Sequence, residues 1–232
     1  RAGNAASWWR QVALFSRTHT VVTYDQRGFG RSPCEKDDFN AETLAPDIAA
    51  ILDAIGIGRA ALISQSMGGI SAMRFARDYP GRTAGLIVGS SLAGITPKDI
   101  RGRLAERERA NTVTLPDRAF APGYGAREPL LYELYKQILA FNTCFDPAWR
   151  SRIAGSAASF GAEDFDSYAV PTTFIVGAHD QFFPPSFVHE VAAWVPGATV
   201  IDIPDAGHSP YWETPDLFNE IVLNWLGANA VW

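Results

Sequence analysis

Cysteine is almost missing from this chain: 232 residues hold two, Cys34 and Cys144, far apart and without a Cys-x-x-Cys spacing. That excludes a disulfide framework and a thiolate zinc site, and leaves both thiols as ordinary small side chains. A basic excess is missing too. Lys and Arg number 20 against 25 Asp and Glu, a net charge of −5, so there is no electrostatic footprint for nucleic acid or an anionic membrane. The one arginine-rich stretch, Arg101, Arg103, Arg107 and Arg109, is interleaved with Glu106 and Glu108 and reads as a solvated helix face. No apolar run approaches the length needed to span a bilayer. The first residues, Arg-Ala-Gly-Asn-Ala-Ala-Ser, lack the apolar stretch of a signal peptide. The expectation is a cytoplasmic protein with no nucleic-acid or membrane partner; the oligomeric state stays open.

What is present is a core-forming composition, 47% apolar and 19% charged. At this length it suits one α/β unit carrying an insertion better than two independent domains. Strand-like runs at 20–24, 60–64, 84–89, 172–176 and 199–203 alternate with helical patterns at 6–15, 41–55, 67–79, 185–195 and 215–226. That alternation predicts a mostly parallel sheet with helices on both faces. Thr43 and Thr214 are the expected N-caps, and Pro215 suits a first helical turn. The rhythm breaks between residues 92 and 168, where helical patterns are separated by Pro116, Pro122, Gly123 and Gly125. The expected division is therefore a core of 1–91 and 169–232 with a helical insertion at 92–168. Within the insertion Leu130, Leu131, Leu134, Tyr135, Ile138, Leu139 and Phe141 form an apolar stripe at helical spacing, first of all a packing surface.

Residues 64–69 read Ser-Gln-Ser-Met-Gly-Gly and join the apolar run at 60–64 to a helical pattern, which places Ser66 on a sharp strand-to-helix turn. Small neighbours two before and two after, Ser64 and Gly68, suit such a strained turn. The Met67 N–H would face a helix start, where unpaired amides can hold a developing oxyanion. A serine hydroxyl needs a base, and the base needs an acid to hold its tautomer. His208 follows the strand at 199–203 and Asp180 follows the strand at 172–176. In a parallel sheet the loops at the C-terminal ends of strands converge on one edge. Asp202 falls within a strand and Asp205 lies on the same tight loop as His208, so both are poor rivals to Asp180. His19, His179 and His189 read as structural or solvated, and Asp25 and Arg27 as organisers of a turn.

The order Ser66, Asp180, His208, together with the Ser-x-Ser-x-Gly turn, resembles the nucleophile elbow and triad of the α/β-hydrolase family. Asp25-Gln26-Arg27-Gly28-Phe29-Gly30-Arg31-Ser32 resembles that family's Asp-x-Arg-Gly-x-Gly-x-Ser turn, and Asp78-Tyr79-Pro80-Gly81-Arg82-Thr83 its helix-ending segment. The stretch 47–59 followed by the serine turn looks like bacterial esterases and enol-lactonases. The resemblance implies a helical cap after the sixth strand, roofing a substrate pocket. Gln65, Leu134, Tyr135 and Ile138 are then the candidate substrate contacts. It also implies a serine hydrolase of a small to medium ester, lactone or related acyl compound, using no cofactor and no metal. Carbon–carbon bond hydrolases of ring-fission products and cofactor-free perhydrolases share the triad. Small-molecule receptors with a vestigial triad are the alternative of another class. Dehalogenases and epoxide hydrolases carry an aspartate where Ser66 stands. Finally, residues 1–8 resemble the tail of the family's His-Gly-x-x-Gly-x-x-x-x-Trp pattern, which would make Arg1 the second oxyanion donor. The resemblance further implies that the first three strands are missing, so that the chain is a fragment of a longer one.

Overall fold

Runs of apolar and β-branched residues become strands where neighbours accept their backbone bonds, and four such runs do so among the described residues. The computed structural model describes residues 3–35, 38–143, 146 and 159–229. Strands β1 (Ala60–Gln65), β2 (Thr83–Gly89), β3 (Thr172–Gly177) and β4 (Thr199–Ile203) form a sheet in that order, every pair parallel. Parallel neighbours need crossovers, and helices supply them. Helix α3 (Gly68–Asp78) joins β1 to β2, and α8 (Pro185–Ala192) joins β3 to β4. Helices α1 (Trp9–Phe15) and α2 (Leu44–Ala54) precede the sheet, while α9 (Pro210–Glu213) and α10 (Pro215–Ala228) follow it.

Alternate side chains of the central strands feed two cores, as the period of two requires. Leu86, Val88, Phe174 and Val176 pack on one face with Met73 of α3 and Val188 and Val191 of α8. Ile87, Ile175 and Ile203 pack on the other with Phe15 of α1 and Phe218, Val222 and Leu226 of α10. Covered on both faces, β3 is buried throughout and β2 at every residue but Ala84, which is why the two read as near-continuous apolar runs.

Between β2 and β3 the described residues hold α4 (Lys98–Ala110), α5 (Leu115–Arg118), α6 (Tyr124–Arg127) and α7 (Pro129–Ala140), and no strand. The two ends of this insertion belong to the sheet's own core. Leu92, Ala93, Ile95 and Ile100 at its start, and Phe160, Phe165 and Tyr168 at its end, pack with Leu86 and Val88. On α7 the apolar stripe divides. Tyr135, Ile138 and Leu139 are buried, whereas Leu130, Leu134 and Phe141 are exposed. At 100° per residue those three fall on one flank of an apolar arc wider than the surface the core offers.

Two expectations are corrected, and a third holds in part. Residues 20–24 form no strand. Their β-branched composition fits a pleated surface, but pairing decides, and β1 pairs with β2 alone among the described residues. The helix expected at 6–15 is a 3-10 turn, Ala5–Trp8, followed by α1, with Asn4 capping the turn by accepting the Ala6 N–H at 3.0 Å. Thr43 and Thr214 stand at the N-cap positions of α2 and α10 as expected, but neither makes a side-chain cap bond; ahead of α2 it is Asn40, capping the 3-10 turn Ala41–Thr43, that accepts from Glu42 and Thr43 at 3.0 and 3.1 Å. The hydroxyls of Thr43 and Thr214 instead donate backward, to the carbonyls of Asn40 and Pro210. No helix among the described residues is long and apolar enough to cross a membrane.

Candidate active site

Ser66 sits between the last residue of β1 and the start of α3 with φ at +53°, a left-handed conformation that an ordinary side chain adopts at a cost of about 1–2 kcal/mol. The sheet holds it there: the Ser66 N–H donates to the Gly89 carbonyl at 2.7 Å. The space around the turn is not where its pattern suggests. A Cβ on Gly68 would meet Ser64 Cβ at 3.9 Å, an ordinary contact, whereas one on Gly69 would lie 2.7 Å from Ser91 Oγ and 2.8 Å from Ser91 Cβ. The tight approach is thus one residue later, between α3 and the end of β2. Gly69→Ala is expected to cost about 2 kcal/mol or more, and Gly68→Ala less than about 1 kcal/mol, because alanine's helix propensity offsets its mild contact. Urea unfolding of the two variants checks this; equal losses would contradict it.

The loops after β3 and β4 bring the other two candidates to the same edge. The Ser66 hydroxyl and His208 Nε2 are 2.8 Å apart, and His208 Nδ1 lies 2.9 Å from Asp180 Oδ2. An ionised carboxylate only accepts, so Nδ1 carries the proton and Nε2 is left as the acceptor for the serine O–H. Asp180 is fully buried at its side chain. A buried charge must be satisfied, and its other oxygen accepts the N–H groups of Phe182 and Phe183 at 2.8 and 2.9 Å. The rings of Phe182 and Phe183 lie against the imidazole, with centroids at 4.6 and 5.7 Å. They screen the Asp180–His208 pair from water, while Ser66 itself stays half-exposed. Met67 follows Ser66 at the N-cap of α3, and no hydrogen bond from its N–H is found within the described residues.

The remaining candidates disperse. Asp202 of β4 bonds His189 of α8 at 3.0 Å, and His179 is exposed. Asp25 accepts the N–H groups of Ala5 and Arg31 at 2.7 and 2.9 Å. Burial alone would raise its carboxyl; these amides and the Arg31 guanidinium carry it below the ordinary value. Arg27 forks onto Asp47. Both therefore order the 25–32 turn. Gln65 donates its side-chain amide to the His208 carbonyl. Tyr135 is buried between Phe120 and Trp212, and Ile138 is buried with its carbonyl accepting from Asn4 at 2.8 Å. Leu134 faces outward. Arg1 and Cys144 lie outside the described residues. A concavity of about 640 Å³ beside Tyr24, Arg27, Cys34 and Asp47 contains none of the residues around Ser66.

One residue of this region escapes the reading of the sequence. Glu213, half-buried at the end of α9, accepts N–H groups from Gly207 and Ser209, on either side of His208. Burial pushes its carboxyl up to about 7, against the lowering effect of the amides it accepts. Its only sequence signal is a carboxylate five positions after a candidate base.

A parallel sheet with a strained serine, a histidine and a buried aspartate at its C-terminal edge defines a class, and comparison with known proteins agrees. The model of the α/β-hydrolase family matches residues 2–221, and the chain belongs to that family. It is similar to a protein of Azorhizobium caulinodans named as a candidate carbamate hydrolase, RutD, at 27% identity over 97% of this chain and 88% of that one. It is also similar to 3-oxoadipate enol-lactonase 2 of Acinetobacter baylyi, at 25% identity over 94% and 83%. Among solved structures it resembles a thermophilic esterase from Thermogutta terrifontis, with a TM-score of 0.82 and 26% identity over 98% of this chain and 86% of that one. The chain is a hydrolase of the α/β family.

Proposed function

We propose that this hydrolase cleaves small to medium esters, lactones or related acyl compounds through a Ser66–His208–Asp180 triad. The observation that carries the reading is the hydrogen-bonded line from the Ser66 hydroxyl through the imidazole to a buried carboxylate. His208 Nε2 takes the serine proton as Oγ attacks the carbonyl carbon, and the carbonyl π electrons move to oxygen. The Met67 N–H, free and at a helix start, is placed to hold that oxyanion. Collapse of the tetrahedral species expels the alkoxide, which takes the proton from His208 and leaves an acyl-serine. Water, deprotonated by the same nitrogen, then releases the acid and restores the serine. Asp180 holds the imidazole's tautomer and stabilises its cationic form.

The relatives' names speak to the same chemistry, since a carbamate, an enol-lactone and an ester each present a carbonyl bearing a heteroatom leaving group. We assign the 92–168 insertion as a cap over this edge, and Gln65 as support for the histidine loop. Tyr135 and Ile138 shape the cap's seat, and Leu134 contacts substrate only where the cap's outer flank is approached. A panel of short p-nitrophenyl esters, aliphatic lactones and vinylogous diketones tests the substrate class. Turnover of the esters or lactones is the expected outcome. Turnover of the diketones alone would move the assignment to carbon–carbon bond cleavage.

A further inference from the structure

The loop that carries His208 has no regular structure of its own, yet a base must be held to within a fraction of an ångström of its partners. Two features immobilise it against the insertion. One is close backbone packing: a Cβ on Gly207 would lie 2.3 Å from the Ala121 nitrogen and 2.3 Å from the Phe120 carbonyl carbon, so only glycine lets the insertion's backbone rest on the loop. The other is Glu213. Its Oε1 accepts from Gly207 at 2.8 Å and from Ser209 at 3.3 Å, and its Oε2 accepts from Ala121 at 2.7 Å. One carboxylate thus gathers the amides flanking the histidine and an amide 92 residues away in sequence.

We propose that Glu213 is a positioning residue for His208, its carboxylate locking the histidine loop to the insertion so that the imidazole stays on the line between Ser66 and Asp180. The inference rests on the reading of His208 as the general base. It also makes the insertion part of the catalytic machinery's support: displacement of the turn at Ala121 would release one arm of the clamp. Only a carboxylate suits the place. Three N–H groups converge on two oxygens, and a glutamine would turn an NH2 toward one or two of them, donor against donor.

Glu213→Gln, measured at about pH 8 where the carboxyl is ionised, tests this. Expected are a folded protein, an upfield shift or broadening of the His208 Nδ1–H resonance, and amide exchange at Ala121, Gly207 and Ser209 faster by about tenfold or more. With an ester substrate kcat should fall about 10- to 100-fold while KM changes by less than about threefold. An unmoved resonance with unchanged exchange overturns the proposal, and so does a loss of activity that merely tracks loss of folded protein. If E213Q does not fold, exchange in the unaltered protein decides. Common protection of the three amides supports the clamp, and exchange of any one of them at the rate of an open loop overturns it. Ser66→Ala separates this from the hydrolase reading, because it removes turnover and leaves the exchange of the three amides unchanged. An unaltered protein without turnover, whose resonance is still lost in E213Q, would sink the hydrolase reading and keep the clamp.

Discussion

Ser66→Ala is expected to lower kcat by about 10⁴- to 10⁶-fold while the protein stays folded. The hydroxyl is half-exposed and its hydrogen bond is to His208 Nε2, so its removal leaves no buried donor stranded. An alanine at a φ of +53° bears the same backbone strain as the serine, so the melting temperature should move by only a few degrees. What disappears is the atom proposed to form the acyl bond. The residual rate is then that of water attacking a bound ester in an oxyanion site. A p-nitrophenyl ester assay beside a thermal melt measures both numbers. A variant retaining more than about a hundredth of the activity would remove Ser66 from the chemistry.

Asp180→Asn is the second large effect, about 10³- to 10⁴-fold in kcat, and its cause is a tautomer. Asparagine can keep its oxygen toward the N–H groups of Phe182 and Phe183, the two bonds that fix the side chain in its buried site. Its NH2 then faces His208 Nδ1, where the carboxylate oxygen stood. A donor there requires Nδ1 to accept, which moves the imidazole proton to Nε2. Nε2 can no longer take the Ser66 proton. Folding should be nearly preserved, because one neutral amide replaces a buried charge of similar shape. The fall should appear in kcat with KM little changed, and titrating the variant with added imidazole should not restore it. A variant with normal kcat would show that the imidazole's orientation is held by something other than Asp180.

How much of this is legible in the chain depends on the range of the interaction. Ser66, Asp180 and His208 can be picked out because each follows an apolar run, and a parallel sheet sends all such ends to one edge. Glu213 cannot be picked out that way. Its partners are backbone amides, which carry no residue signature, and one of them belongs to the insertion. The run at 20–24 misleads for a related reason. Val21 and Val22 state a preference for a strand, and whether a strand forms is decided by a neighbour that the local sequence does not name. On α7 the periodicity predicts one apolar face correctly as far as Tyr135, Ile138 and Leu139, and overstates its width at Leu130, Leu134 and Phe141. The capping expectation holds in position and fails only in the side-chain bond. Thr43 and Asn40 are both good caps; Thr43 does stand at the N-cap of α2, but the 3-10 turn before it leaves the first unpaired N–H groups to the asparagine.

The central claim is that three side chains from distant parts of the chain make one hydroxyl reactive. Labelling with a fluorophosphonate, followed by mass mapping of the proteolysed protein, tests it most directly. The account predicts one phosphonyl adduct, on the peptide containing Ser66, absent from Ser66→Ala and strongly slowed in Asp180→Asn. A folded protein that takes no label, or that takes it on a different residue, would contradict the account.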